Sequence, residues 1–219
     1  MGMEFRFHNE VQIPAGKVML EGELIIPLNA ESVVIFSHGS GSSRFSSRNR
    51  MVASHLHQHH IGTLLFDLLT AEEDKLYQNR FNINLLTQRL CNATTWLEQL
   101  PAAKDCTFGF FGASTGAASA LKAATILPQI ATVVSRGGRP DLAMEELHKI
   151  KIPVLLIVGS RDADVLQLNM QAYNLLTCAK KIEIVDAATH LFEEPGKMEI
   201  VANHAAKWFR NYLQHVKAG

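Results

Sequence analysis

The pentapeptide Gly112-Ala113-Ser114-Thr115-Gly116 has the residue types and spacing of a nucleophilic serine held in a sharp turn. It follows the apolar run Cys106 to Phe111 and precedes an Ala-rich, helix-prone run, Ala117 to Leu127. The pattern G-x-S-x-G between a strand and a helix exposes the serine hydroxyl above a sheet. The pattern alone is weak, because the same residue types form ordinary turns. The prediction that Ser114 is a nucleophile therefore depends on what else the chain supplies.

A serine hydroxyl needs a base to take its proton, and that base needs a carboxylate to hold its tautomer and orientation. Asp162 follows the apolar run Val154 to Val158, and His190 follows the run Ile182 to Val185. The chain thus places serine, aspartate and histidine in the order nucleophile, acid, base, each just beyond an apolar run. We predict that Ser114, Asp162 and His190 form a catalytic triad.

Two other aspartates leave the identity of the acid open. Asp164 directly precedes a helical run and is better interpreted as the N-cap of that helix. Asp186 is close to His190 in sequence, although a single loop could fold it back onto the histidine. Asp162 is the favoured acid because neither objection applies to it.

A glycine-bearing loop, His38 to Arg44, follows the apolar run Val33 to Phe36. Such a loop can turn backbone N–H groups toward a bound carbonyl oxygen, and the residue after the nucleophile supplies a second donor. We predict an oxyanion hole formed by the N–H groups of Ser40 and Thr115. The alternative is an ordinary Gly/Ser loop, and His38 is expected to shape the loop rather than to catalyse.

Arginines gather after the same apolar runs, at Arg44, Arg136, Arg139 and Arg161. Guanidinium groups that point into the cleft would favour a substrate with a carboxylate or phosphate, which they bind in bidentate fashion. The alternative interpretation is that these arginines pin loops by pairing with acidic side chains. Candidate partners are Asp141, Asp164 and the acidic residues of segment 68–84.

Composition limits the classes of function. The 219 residues are 47% hydrophobic and have zero formal net charge, which fits one domain, residues 1–219, with a substantial core. A charge balance of this kind is atypical of nucleic-acid-binding proteins. The pair His55 and His59 has a helical spacing that could hold a metal, but no carboxylate or cysteine is close to it in sequence, so we expect a solvated face and neither metal nor cofactor.

The cysteines and the hydropathy pattern concern location. Three cysteines, without metal-ligand spacing, are typical of free thiols in a reducing compartment. No apolar run approaches the length of about 20 residues that spans a membrane, and residues 1–7 lack the apolar core of a signal peptide. We expect a cytoplasmic protein that does not bind membranes, and the sequence leaves its oligomeric state open.

The elements that must position these residues follow from hydrophobic periodicity. Two alternating segments, Glu4 to Ile13 and Lys17 to Ile26, predict an antiparallel hairpin with a turn at Pro14-Ala15-Gly16. Short continuous apolar runs then predict strands buried on both faces. These runs are Val33 to Phe36, Thr63 to Phe66, Thr107 to Phe111, Ala131 to Val134, Val154 to Val158 and Ile182 to Val185.

Segments with helical spacing alternate with these strands. They are Arg48 to His60, Leu85 to Leu100, Ala117 to Leu127, Leu166 to Cys178 and Met198 to Val216. The alternation predicts an α/β fold with a mostly parallel sheet of about eight strands covered by helices on both faces, where ligands bind at the carboxyl ends of the strands. Only Arg136 to Ile152 separates the sixth and seventh strands, which leaves no room for a lid domain.

With these residues in place, the chain resembles the α/β-hydrolase superfamily, and specifically its dienelactone-hydrolase-like branch. The resemblance runs from about Val11 to Trp208. Its motifs are HGSGSS at 38–43, FDLL at 66–69, GASTGA at 112–117, SRGGRPD at 135–141, GSRDADV at 159–165 and ATHLFEEPG at 188–196. Some similar hydrolases are fused to phosphoribosyltransferase domains.

The resemblance implies an eight-stranded core sheet and hydrolysis of esters or related acyl groups, with Ser114 as nucleophile, His190 as base and Asp162 as its partner. True dienelactone hydrolases carry cysteine as the nucleophile, and the serine here argues against dienelactone as the substrate. We expect a serine hydrolase of small carboxylic esters. A thioester, lactone or amide substrate, or a non-catalytic member that binds a ligand or partner, are the alternatives.

Overall fold

A computed structural model describes residues 3–213 of the chain. Its strands form one 8-stranded sheet in the order β1-β2-β4-β3-β5-β6-β7-β8. The strands are β1 (Phe5–Ala15), β2 (Val18–Pro27), β3 (Ser32–Ser37), β4 (Gly62–Phe66), β5 (Thr107–Ala113), β6 (Ile130–Arg136), β7 (Val154–Gly159) and β8 (Lys180–Val185). From β4 to β8 every neighbouring pair is parallel, while β1 pairs antiparallel with β2 and β2 with β4. The predicted fold class is confirmed.

Helices cover both faces of this sheet. They are α1 (Ser47–Gln58), α2 (Ala71–Asp74), α3 (Ile83–Gln99), α4 (Thr115–Ala123), α5 (Ala163–Leu175) and α6 (Lys197–Leu213), with 3-10 segments at Tyr77–Phe81 and Pro140–Lys149. The predicted helices agree with these to within a few residues, and Val216, the predicted end of the last helix, lies outside the described residues. No helix within residues 3–213 has both the length and the apolarity that crossing a membrane requires.

The two faces of the central strands enter two separate hydrophobic clusters. In β3, Val33 and Ile35 join the cluster that also includes residues of α3, α4 and α5, whereas Val34 and Phe36 join the cluster formed with α1 and α6. Alternate side chains of a strand point to opposite faces, so a continuous apolar run buries both of them. This explains why five of the six runs identified in the sequence are inner strands of the sheet. The sixth run, Ile182 to Val185, lies in β8, and the prediction that it is buried on both faces was wrong, because β8 is an edge strand and most of its residues are exposed or half-buried.

The hairpin turns one residue later than the sequence suggested. Pro14 and Ala15 belong to β1, and the turn consists of Gly16 and Lys17. Gly16 has a φ of +70°, a conformation that suits tight hairpin turns and favours glycine. Pro14 is tolerated in a strand here because β1 lies at the edge of the sheet and has one side without a neighbour.

The histidines of α1 are not all on a solvated face. His57 is buried, and its Nε2 lies 2.8 Å from the Thr63 hydroxyl oxygen of β4. Burial, together with the nearby charge of His8, lowers the pKa of His57 to about 4. The expectation of a polar face therefore fails at this position, because His57 lies on the side of α1 that contacts β4.

Candidate active site

Ser114 lies in the strained turn between β5 and α4. Its φ is 51° and its ψ is −121°, a conformation that L-residues rarely adopt. The turn is held by the Ser114 N–H, which donates to the Arg136 carbonyl at 3.2 Å, and by the Ser114 carbonyl, which accepts from the N–H of Ala117 at 3.0 Å and of Arg139 at 3.1 Å. Residues of β6, of α4 and of the loop after β6 thus fix the serine backbone.

The flanking glycines are required by close approach of the backbone. A Cβ at Gly112 would lie 2.4 Å from the Ala117 Cα, and one at Gly116 would lie 2.1 Å from the Ser37 carbonyl oxygen. Neither contact can be relieved by moving a side chain, because both involve backbone atoms. The geometry of the turn therefore requires glycine at both flanking positions of the G-x-S-x-G pattern.

His190 and Asp162 are joined by a hydrogen bond. The imidazole Nδ1 lies 2.6 Å from Asp162 Oδ2, and since a carboxylate oxygen only accepts, Nδ1–H is the donor. The bond leaves Nε2 of the neutral ring as the basic nitrogen. Asp162 is mostly buried, with 14% of its side chain exposed, whereas the imidazole is 35% exposed. This arrangement orients a partly exposed histidine as a proton acceptor.

The alternative acids lie elsewhere. Helix α5 begins at Ala163, so Asp162 itself has the N-cap position, and its side chain makes no capping bond because it is turned to His190. Asp164 is in the first turn of α5, and its interpretation as the N-cap was wrong. Asp186 lies 3.4 Å from the Ser160 hydroxyl, which donates to it.

The loop after β6 brings the serine and histidine segments to the same place. Arg136 accepts from the Ser114 N–H, and the next residue, Gly137, has a φ of +51°. A Cβ on Gly137 would lie 3.5 Å from Nδ1 and Cε1 of His190. The imidazole therefore packs directly over Gly137, one residue from the backbone that holds Ser114.

The predicted oxyanion donors also lie close together. Gly39 packs against the nucleophile, since a Cβ there would lie 3.1 Å from the Ser114 Cβ. The Ser40 N–H donates to the Thr115 hydroxyl oxygen at 2.8 Å. The Thr115 N–H is the first of α4, and such N–H groups have no acceptor within their helix. The Thr115 hydroxyl thus engages one of the two proposed donors, a contact that the sequence did not indicate.

His38 links this loop to the end of β4, as its expected structural role requires. The Leu68 N–H donates to Nε2 at 3.0 Å, and Nδ1 donates to the Gly39 carbonyl at 3.0 Å. These two bonds require one neutral tautomer, and burial lowers the pKa of His38. A neutral histidine therefore fixes the position of the loop that carries Ser40.

Two of the four predicted substrate-binding arginines are engaged by carboxylates. Arg44 lies 2.5 Å from Asp67 Oδ2 and 2.8 Å from Glu21 Oε2. Arg139 binds Asp141 in bidentate fashion, at 2.8 and 2.7 Å. Their role in pinning loops, which the sequence left as an alternative, fits this geometry.

The other two differ from each other. Arg161 is exposed, and its charge contributes to lowering the pKa of Glu194. Arg136 is 4% exposed and has no carboxylate within ion-pair distance among residues 3–213. Its nearest polar contact is Asn49 Oδ1 at 3.5 Å, and its guanidinium lies 5.9 Å from the centre of the Phe192 ring. Burial, and then the charge of Arg48, lower the pKa of Arg136 to about 10.

Within residues 3–213, no cluster of three or more His, Cys, Asp and Glu side chains is arranged to hold a metal ion. The rings of His55 and His59 pack edge to face, with centroids 5.0 Å apart. At the candidate site, the side chains and backbone supply a hydroxyl, an oriented imidazole, a carboxylate and N–H groups.

Comparison with known proteins identifies the family and agrees with the fold. The family model described as "Alpha/beta hydrolase domain" matches residues 30–216. The crystal structure of a dienelactone hydrolase from Anabaena variabilis superposes with a TM-score of 0.91 and 47% sequence identity, covering 94% of this chain and 98% of that one. An esterase of Pyrococcus furiosus gives a TM-score of 0.75 at 17% identity, over 94% of this chain and 92% of that one, and shows likeness of fold alone.

Two curated proteins of Mycobacterium tuberculosis, from strains CDC 1551 and H37Rv, are each 49% identical over 205 residues. Both are named "Putative phosphoribosyl transferase". The match covers 93% of this chain but 46% of each of those proteins. The chain therefore spans about half the length of these curated relatives.

Proposed function

This chain belongs to the α/β-hydrolase family, and we propose that it is a serine hydrolase that cleaves small carboxylic esters through an acyl-enzyme intermediate. The observation that supports the proposal most is the 2.6 Å bond between His190 and Asp162, beside a serine held at positive φ. A positioned nucleophile, base and acid together have no use in a protein that only binds.

In the proposed acylation step, the Ser114 hydroxyl oxygen attacks the ester carbonyl carbon while Nε2 of His190 takes the hydroxyl proton. The carbonyl oxygen becomes an oxyanion and accepts hydrogen bonds from the N–H groups of Thr115 and Ser40. Asp162 stabilises the imidazolium that forms. The tetrahedral intermediate then collapses, and the imidazolium gives its proton to the leaving alcohol, which departs and leaves an acyl-serine.

Deacylation reverses these roles. His190 takes a proton from a water molecule, whose oxygen attacks the acyl carbonyl carbon, and the same N–H groups stabilise the second oxyanion. Collapse returns the proton to the Ser114 oxygen and releases the carboxylic acid. When the oxyanion forms, the Ser40 N–H must break its hydrogen bond to the Thr115 hydroxyl or donate to both that hydroxyl and the oxyanion. The Thr115 hydroxyl thus keeps this donor oriented before substrate arrives.

The names of the similar proteins point to two other activities, that of a dienelactone hydrolase and that of a phosphoribosyl transferase. We propose that the region shared with the mycobacterial proteins performs hydrolysis, since it covers 93% of this chain, and the alpha/beta hydrolase family model matches residues 30–216. Residues outside the shared region in those longer proteins are the natural place for a phosphoribosyl transferase. The same triad would also serve thioesters, lactones and small amides, which a panel of acyl donors would separate.

A preference for anionic esters remains part of the proposal in a narrower form. Arg44 and Arg139 already bind carboxylates, so their guanidinium groups have less capacity for a substrate anion. Of the predicted arginines, the buried Arg136 and the exposed Arg161 make no ion pair among the described residues. Any preference for a substrate carboxylate or phosphate would therefore come from these two.

Labelling with a fluorophosphonate probe, followed by peptide mass spectrometry, tests the proposal. We expect a covalent adduct on Ser114 in the wild-type protein and none in Ser114→Ala. Ser119→Ala, which changes a buried serine of the neighbouring helix, is the control and should keep the adduct. Folded wild-type protein that forms no adduct and hydrolyses no member of an ester panel would instead indicate a ligand- or partner-binding member of the fold.

A further inference from the structure

A cavity of about 320 Å³ lies beside the loop that carries Ser40, on the side of β4 and β2. This volume is at the lower end of the range for small-molecule sites, and it equals that of about ten water molecules. A second, separate pocket of about 10 Å³, lined by His38, Gly39, Ser40 and Gly41, shares His38, Leu69 and Asp74 with this cavity. The cavity therefore borders the loop that carries one of the proposed oxyanion donors.

The polar lining of the cavity consists of hydroxyls and carboxylates. The hydroxyls are those of Ser42, Ser43 and Thr70, and the carboxylates are Glu21, Asp67 and Asp74. The Ser43 and Thr70 oxygens accept from the backbone N–H groups of Phe45 and Glu73. A hydroxyl that accepts in this way still has its own O–H to donate. The lining thus presents both donors and acceptors.

The cations around the cavity are already paired. Arg44 binds Asp67 and Glu21, and Arg80, which lines the second pocket, binds both carboxylate oxygens of Asp74 at 2.9 and 2.7 Å. Three carboxylates therefore face two guanidinium groups, and the balance is slightly negative. A substrate anion would meet repulsion here, since no unpaired guanidinium is left to compensate.

Carboxylates that are bound on one side by arginine keep further lone pairs for other donors. A group that donates to those oxygens and accepts from the serine and threonine hydroxyls satisfies this lining, and an alcohol hydroxyl does both. An apolar group would displace water from the carboxylate oxygens and leave their remaining lone pairs without a donor. Met19, Leu69 and Ala71 supply apolar contact for the carbon skeleton of such a ligand.

We propose that this cavity binds a hydroxyl-rich, uncharged part of the ester, of the kind found in a glycerol or sugar derivative. The inference rests on the proposed function, because it assigns the cavity to the substrate of Ser114. The cavity lies on the side of β2 and β4, whereas the proposed acid and base belong to the loops after β7 and β8. The class of substrate is therefore inferred from the part of the site that does not contain the acid and base.

Two matched pairs of esters test the inference. Glycerol 1-butyrate and butyl butyrate share the acyl group, and ethyl glycerate and ethyl butyrate share the alcohol. We expect the hydroxylated ester of at least one pair to have a kcat/KM about tenfold higher or more, which corresponds to one hydrogen bond to a charged group. Equal values within both pairs would overturn the proposal.

Variants of exposed lining residues assign the preference to the cavity. The double variant Glu21→Gln and Asp74→Asn should reduce the preference for the hydroxylated ester toward unity, mainly through KM, and leave the alkyl ester nearly unaffected. Glu72→Gln, on the same segment but outside the cavity lining, is the matched control and should keep the preference. A preference that survives the double variant would place recognition elsewhere and refute the assignment.

A direct binding measurement separates this proposal from the proposed function. Saturation-transfer NMR of glycerol 1-butyrate and of butyl butyrate with Ser114→Ala requires no hydrolysis. Stronger saturation of the glycerol ester, lost in the double variant, would support the cavity even if the fluorophosphonate probe failed to label Ser114. Equal saturation of the two esters, in a protein that labels normally, would reject the cavity and retain the esterase.

Discussion

Ser114 stores conformational strain at the centre of the site. Its φ of 51° is supported by three backbone hydrogen bonds, to Arg136, Ala117 and Arg139. Gly112 and Gly116 leave room for the turn. A non-glycine residue in such a conformation costs about 1–3 kcal/mol, which the surrounding sheet must offset. The same strain explains why the serine is displayed above the sheet instead of joining β5 or α4.

Replacing Ser114 by glycine should therefore separate stability from activity. Both Ser114→Gly and Ser114→Ala lose the nucleophile and should be inactive. Glycine usually destabilises by about 0.5–1 kcal/mol relative to alanine because its unfolded chain is freer. Here we expect urea unfolding to show Ser114→Gly at least as stable as Ser114→Ala, because glycine relieves the positive φ. A glycine variant less stable than the alanine variant by the usual amount would show that the turn is unstrained.

Arg136 is a buried cation without a carboxylate partner in the described chain. At pH 7 it stays charged, since its pKa of about 10 is lowered from 12.5 but still lies above neutrality. A depressed pKa means that the folded protein holds the charged form at a free-energy cost, of about 3 kcal/mol here. A residue retained at such a cost is a candidate for function rather than for stability.

We expect Arg136→Met to raise the free energy of unfolding by about 1–3 kcal/mol, because it removes the buried charge and keeps most of the volume. Arg139→Met, which breaks a partly exposed ion pair, should change it by less than about 1 kcal/mol. Urea denaturation measures both. If Arg136 acts on substrate, its variant should also raise KM for anionic esters but not for neutral ones. A destabilised Arg136→Met protein would show that the guanidinium has a stabilising partner.

At the residue scale, the sequence predicted the candidate side chains of the site but not the contacts that several other residues make around them. Ser114, Asp162 and His190 could be selected because each directly follows an apolar run. The pairing of Arg44 with Glu21 could not be predicted, since it depends on how the hairpin strand β2 lies against the loop after β3. The bond from Ser40 to the Thr115 hydroxyl was missed for the same reason.

At the scale of elements, α1 and β4 are joined by a buried polar contact. His57 of α1 and Thr63 of β4 pair within the hydrophobic layer, 2.8 Å apart. Since burial lowers the pKa of His57, the folded state holds this ring neutral where the unfolded chain would bind a proton. The contribution of this residue to stability is therefore present above pH 6.5 and is lost as the pH falls toward 4.

The expected loss is about 3 kcal/mol between pH 6.5 and pH 4. Urea unfolding at these two pH values should show a smaller decrease for His57→Leu than for the wild type. His148→Leu, which replaces an exposed histidine, controls for the removal of a histidine as such. Equal decreases in wild type and His57→Leu would mean that His57 is not the group that binds the proton on unfolding.

Element boundaries show where periodicity succeeds and where it stops. The inner strands were located to within a few residues because burial on both faces leaves continuous apolar runs. The start of α5 was placed too late, since Asp164 looked like a cap while the true N-cap position is Asp162. A capping rule that considers only neighbouring residues cannot predict that the Asp162 carboxylate instead binds His190, 28 residues away in sequence. The burial of His57 was missed because the other histidines of α1 obscure the helix face.

At the scale of the whole molecule, the order of the strands assembles the site. The sheet places β3 beside β5 and β5 beside β6, so the loops that carry Ser40, Ser114 and Arg136 emerge next to one another. β7 and β8 follow in order and deliver Asp162 and His190. The alternation of strands and helices predicted this fold class, and the candidate site was predicted at the carboxyl ends of the strands. The cavity beside Ser40 was beyond prediction, since β2, the loop after β3 and segment 67–74 enclose it jointly.

Strand β8 forms one edge of the sheet and pairs with β7 alone, and most of its residues are exposed or half-buried. His190 is carried by the loop that leaves this edge strand. Peripheral strands are the first parts of a protein to open, at free energies below that of global unfolding. We therefore expect β8, the strand that precedes the proposed base, to separate from the sheet before the inner strands do. Warming should therefore abolish hydrolytic activity at temperatures where the circular dichroism spectrum is still native. Activity should recover rapidly on cooling, because only one strand has to pair with the sheet again.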